Sequence, residues 1–150
     1  SPALLSTQSQ LANINGVFNG VLVRGNATGD VVFYGKGAGK LPTASAVVGD
    51  IVDCVTVPGT ILSLSWKNST ENNVLAPEEL DSKLYVRATA SEKAVKELFG
   101  QVEFLARAEQ PKGEVAFVTD TRAEKELRST LETLEKQGAT ILQSIRILDY

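Results

Sequence analysis

Apolar residues crowd both faces of two short stretches near the start of the chain, Val17 to Arg24 and Val31 to Tyr34. Their β-branched and aromatic residues favour extended backbone, and Gly25-Asn26-Ala27-Thr28-Gly29 between them is turn chemistry. The pattern predicts a β-hairpin. Strands without a polar face are strands covered on two sides, and a lone hairpin with one helix cannot cover that much surface. Another chain, or sequence outside this one, has to do so. From Pro42 the rhythm changes. Ala44, Val47, Val48, Ile51 and Val55 recur at helical spacing and define one buried face. Pro42 suits a first helical position, where its missing N–H would be unpaired anyway. Ser45 and Gly49 add a small-residue stripe, and Pro58-Gly59 ends the element. Thr60 to Trp66 reads as a further short strand, with Trp66 packing rather than binding.

The second half alternates more cleanly. Lys83 to Ala90 is strand-like, and Ser91 caps a helix whose apolar face is Ala94, Val95, Leu98 and Phe99. Gln101 to Ala108 and Glu114 to Thr119 read as strands around the turn Gln110-Pro111-Lys112-Gly113. Thr121-Arg122-Ala123-Glu124 has the form of a capping box. The helix it opens buries Ala123, Leu127, Leu131 and Leu134, carries the i, i+4 pairs Glu124–Arg128 and Glu132–Lys136, and stops at Gly138. Ala139 to Leu148 closes the sheet. The expected class is α+β: a hairpin and helix followed by a ferredoxin-like β-α-β-β-α-β half.

Charge sharpens this division. Residues 1–82 hold four Lys/Arg and seven Asp/Glu, whereas residues 83–150 hold eleven of each. A surface so sparse in charge is one meant to be covered. The polar, aperiodic run Asn68 to Asn73 separates the halves, giving expected regions 1–57, a linker over 58–82, and 83–150. The net charge of −3, without a basic tract, disfavours nucleic acid. No apolar run is long enough to span a membrane, and no signal peptide is evident. The single cysteine, Cys54, permits no internal disulfide and fits a reducing, cytoplasmic setting. Without histidine, His-based acid/base chemistry and most catalytic zinc sites are excluded. Without methionine the chain reads as a fragment or a processed product. No catalytic residue and no metal ligand emerges. Glu78, Glu79 and Asp81 read as a solvated cluster, Asp50 and Asp53 as a pair facing solvent or a partner, and Cys54 as an inert buried thiol.

The segment with most chemical content is Tyr34-Gly35-Lys36-Gly37-Ala38-Gly39-Lys40-Leu41-Pro42. A strand runs into alternating glycines and a helix follows at once, so free N–H groups face whatever lies there. It is no phosphate loop, because Leu41 follows Gly39-Lys40 where Ser or Thr is required. It is no dinucleotide fingerprint, because Lys40 stands where the third glycine belongs. Spacing alone leaves two readings, a structural turn or a ligand contact.

The run from Asn15-Gly16-Val17-Phe18-Asn19 through this segment to Val47-Val48-Gly49-Asp50 closely resembles homoserine dehydrogenase, at the end of its catalytic and dimerisation region. By order of elements, residues 83–150 look like the C-terminal ACT domain of the bacterial type. The resemblance implies NAD(P)-dependent interconversion of L-aspartate 4-semialdehyde and L-homoserine, in threonine and methionine biosynthesis. It implies that the dinucleotide domain and catalytic groups lie upstream, so that this chain alone is inactive, holds no NAD or NADP by itself, and associates with itself and with the missing domain. Gly39 and Gly37 match positions whose backbone approaches the nicotinamide end. ACT domains that bind amino acids usually carry Pro-Gly after the first strand. Here Ala90-Ser91-Glu92 stands in that place, which leaves Ser91 either as a helix cap or as the contact for an effector carboxylate. The alternative function is a non-catalytic amino-acid-sensing or dimerisation module.

Overall fold

The computed structural model describes residues 2–57 and 67–148, and these divide into two compact units. One runs from Thr7 to Ser69; the other joins the residues up to Ser6 with those from Thr70 onward. The expected strand over Thr60–Trp66 and the Pro58-Gly59 stop lie outside the described residues.

The first element is a short strand, β1 (Ala3–Leu5), for which the sequence carried no signal. The Thr7–Ser69 unit then holds the hairpin β2 (Phe18–Gly25) and β3 (Gly29–Lys36), followed by helix α1 (Lys40–Thr56). The hairpin closes on the Gly25–Gly29 pair, with Gly29 at φ 69°. At that three-residue turn only glycine turns left-handed without strain. Arg24 and Asp30 join across the tip, Nε to Oδ1 at 2.7 Å and Nη2 to Oδ2 at 2.8 Å. One face of the hairpin, reading Val21, Val23, Val31 and Phe33, carries no charge, and Val21 and Phe33 remain 60% and 64% exposed.

Two expectations for α1 are corrected. The helix begins at Lys40, so Pro42 is its third residue; a proline fits there for the same reason, since the first turn has no intrahelical acceptor for its N–H. The face of Ala44, Val47, Val48, Ile51 and Val55 is not buried: no residue of α1 is. Cys54 is likewise exposed, not buried. The apolar stripe exists, and nothing in its own unit covers it.

The other unit contains β4 (Asp81–Thr89), α2 (Glu92–Phe99), β5 (Val102–Phe104), β6 (Glu114–Thr119), the two-residue β7 (Arg122–Ala123), α3 (Glu124–Lys136) and β8 (Thr140–Leu148). Strand order is β1-β8-β4-β6-β5, with β7 beside β4. All these pairings are antiparallel except β1 on β8. This is the expected α+β order of elements, extended by β1. Alternation along β4 sends Leu84, Val86 and Ala88 into one core with Val115 and Phe117 of β6, Val95 and Phe99 of α2, and Leu127, Leu131 and Leu134 of α3. Phe99 and Phe104 both tilt against Phe117, with ring centroids at 5.3 and 6.1 Å. The strand expected over 101–108 is only three residues long. Beyond it the segment turns over the start of β6, where Arg107 and Arg87 both reach Glu114 at 2.8 Å.

The capping box is also corrected. The residue capping α3 is Ala123, and no side chain caps the helix. Thr121 is therefore not its cap, and Glu124 does not reach back. The Glu124 backbone N–H donates to the Leu80 carbonyl, and its carboxylate, almost fully buried, accepts from Arg128 one turn on and from Arg146 of β8. A buried carboxylate satisfies its oxygens with the strongest donors within reach.

Candidate functional site

β3 delivers the glycine segment to the start of α1, and its two candidate residues are glycines for different reasons. Gly39 caps α1 with φ 120° and ψ 158°, a conformation that strains any residue with a side chain. A Cβ there would meet only Pro42, at 3.6 Å, so the constraint is backbone conformation and not space. At Gly37 the constraint is space: a Cβ would stand 2.8 Å from Nδ2 of Asn19. Asn19 lies on β2 opposite Gly35 and escaped the sequence reading, though hairpin register places it beside the glycines.

The helix start is open. The Gly39 carbonyl accepts from the Thr43 N–H at 3.1 Å, and no side chain caps the first turn. Pro42 has no N–H to offer, so the backbone donors of the first turn are those of Lys40 and Leu41. Such a turn presents donors and a side-chain-free backbone to a flat polar group such as a carboxamide. Beside it Phe18 and Tyr34 stack at 4.9 Å, and Lys36 Nζ lies 5.6 Å over the Phe18 ring. Asp50 and Asp53 are exposed on α1. The structure brings neither into a cluster, and among the described residues no group of three His, Cys, Asp or Glu could hold a metal.

Ser91 caps α2 as the spacing predicts, its hydroxyl accepting from the Ala94 N–H at 3.2 Å. It lines a shallow cavity of about 220 Å³ with Thr89, Ala90, Ala94, Gln137 and Gly138. A larger cavity, of about 330 Å³ with Lys83, Glu103 and Asp120 in its wall, touches neither candidate. Glu78 and Glu79 sit in a single 3-10 turn (Pro77–Glu79), and Asp81 opens β4. The strongest electrostatic features of this unit are structural. The hydrogen bond from Arg146 holds the Glu124 carboxyl below its usual range against the opposing effect of burial, with Arg128 adding to it. Arg87 does the same for Glu114, aided by Arg107.

Residues 1–52 match the family model for homoserine dehydrogenase, a span that takes in β1, the hairpin, both candidate glycines and most of α1. This part of the chain belongs to the homoserine dehydrogenase family. A homoserine dehydrogenase of Synechocystis sp. is 50% identical over 76 residues, 51% of this chain and 16% of that protein. The Neisseria gonorrhoeae homoserine dehydrogenase is 30% identical over 157 residues, 89% of this chain and 35% of that protein. Among solved structures, homoserine dehydrogenase from Thiobacillus denitrificans superposes with a TM-score of 0.74 at 26% identity, over 98% of this chain and 38% of that one. The chain thus spans no more than about two-fifths of the homoserine dehydrogenases it matches. No helix among the described residues is long and apolar enough to cross a membrane.

Proposed function

We propose that this chain supplies the end of the catalytic and dimerisation region of a cytoplasmic homoserine dehydrogenase, followed by an ACT-like regulatory domain. The whole enzyme would interconvert L-aspartate 4-semialdehyde and L-homoserine with NAD or NADP. The observation that carries this reading is the uncapped strand-to-helix turn at Gly37–Gly39, set within the stretch that matches the family. In the assembled enzyme the bare backbone at Gly39 lies against the nicotinamide end of a cofactor held mainly by an upstream domain. The uncovered faces of the hairpin and of α1 pack against that domain and a second copy. Alone, the chain binds no cofactor and transfers no hydride.

A chimera tests this: the chain replaces the corresponding segment of the Neisseria gonorrhoeae relative, and homoserine-dependent reduction of NADP and NAD is followed. Activity is expected, and Gly39→Val is expected to lower kcat/KM by at least about tenfold. A folded chimera without hydride transfer overturns the proposal, and so does hydride transfer by the 150-residue chain itself. The cavity beside Ser91 favours a second reading for the regulatory half, an amino-acid sensor whose effector carboxylate meets the start of α2. Thermal shifts with threonine, methionine, lysine and isoleucine check it; a flat response to all four removes it.

A further inference from the structure

β1 is three residues long, touches the sheet only through β8, and leaves Leu4 40% exposed. Its register is Ala3 to Arg146, Leu4 to Ile147 and Leu5 to Leu148, in parallel. The chain leaves this strand at Ser6 and enters the other compact unit at Thr7, the very next residue. The sheet edge therefore borrows its last strand from the residues that lead into the hairpin and the Gly37–Gly39 turn. Beneath the junction, Arg146 is directly opposite Ala3 and donates to the buried Glu124 at the start of α3, so strand, ion pair and helix form one contiguous chain of contacts. Short edge strands with a single neighbour open at far lower free energy than the core they flank.

We propose that residues 3–5 are a detachable strap by which the regulatory sheet governs the hairpin–helix unit. Docked on β8, the strap fixes where the chain enters Thr7–Ser69 and so restrains the turns that precede the hairpin. Released, it lets that segment move. Any ligand that changes the position of β8 or α3 would bias this equilibrium, which is the two-state element that coupling between sites requires. The consequence for catalysis rests on the reading of Gly37–Gly39 as facing a cofactor; the docking equilibrium itself does not.

Hydrogen exchange on the full chain tests the strap. Amides of Leu4 and Leu5 are expected to exchange roughly tenfold or more faster than those of Val86 and Phe117. In a Cys54→Ser background, Leu4→Cys with Ile147→Cys joins the strap to β8 at a register pair, and Leu5→Cys with Leu148→Cys provides a second lock if the first fails to fold. Oxidation is expected to slow exchange over residues 9–25 by about threefold or more, with recovery on reduction. Strap amides that exchange with the core, or equal rates over 9–25 in oxidised and reduced protein, overturn the proposal. Neither readout involves a nicotinamide, so an inactive chimera would leave the strap standing and an active one would not rescue it.

Discussion

The two units are similarly rich in apolar residues and place them in opposite ways. Around β4, Val86, Phe99 and Phe117 are fully buried, whereas Phe33 of the hairpin and Ile51 of α1 are 64% and 58% exposed. The difference is not one of pattern, since α1 has as regular an apolar stripe as α3. It lies in what each stripe meets. The sheet unit has helices and strands enough to close a core on itself; the hairpin and α1 are two pieces of a layer whose remainder is elsewhere. Periodicity shows that a face is meant to be covered, and says nothing of which chain covers it.

The sharpest way to break this comparison is truncation of an aromatic in each unit. Phe117→Ala is expected to destabilise the sheet unit by about 3–5 kcal/mol in urea unfolding. Phe33→Ala should stay within about 0.5 kcal/mol. Comparable losses would mean that the hairpin face is covered in solution by a second copy of this chain. Next in size is Glu124→Ala, which leaves the Arg128 and Arg146 guanidiniums without their shared acceptor and should cost about 3 kcal/mol. The same carboxylate gives a pH signature. Its folded pKa is lowered, so its stabilising effect is complete above the unfolded glutamate value of about 4.3 and is lost as pH falls through the lower folded value. Glu124→Ala should accordingly flatten the acid limb of a stability–pH curve, and an unchanged limb would assign acid sensitivity to another group.

Smaller effects separate backbone from side-chain causes. Gly39→Ala is expected to cost about 2 kcal/mol through its conformation, while Gly35→Ala, with open space around it, should be nearly silent in thermal unfolding. Equal costs would remove the argument that Gly39 is conformationally special. Ser91→Ala should remove about 1 kcal/mol from the sheet unit, the usual worth of an N-cap, in urea titration. A much smaller loss would free the Ser91 hydroxyl for the effector role.

Much of this was legible in advance because local chemistry decided it. The hairpin turn, the Ser91 cap, the Glu114–Thr119 strand and the Gly138 stop follow from residues within one turn of where they act. What escaped depends on distant partners. β1 has too few residues to show a period, and only β8, far away in sequence, makes it a strand. Glu124 looked like half of a capping box because its local spacing fits one; Arg146 outcompetes that role from the opposite end of the domain. The two candidate glycines were visible as glycines, but the Asn19 side chain over Gly37 needed the hairpin register.

The pairing of β1 with β8 also sets a clock on the molecule's birth. About 140 residues separate the two partners, and at ribosomal speeds of roughly 5–20 residues per second the first strand waits on the order of ten seconds for the last. During that interval the hairpin and α1 have already emerged with their apolar faces bare, while the sheet that anchors their entry is still unfinished. A nascent chain stalled before Thr140 would hold every residue of the glycine turn and none of its anchor, the stage of synthesis at which a chaperone has most to do.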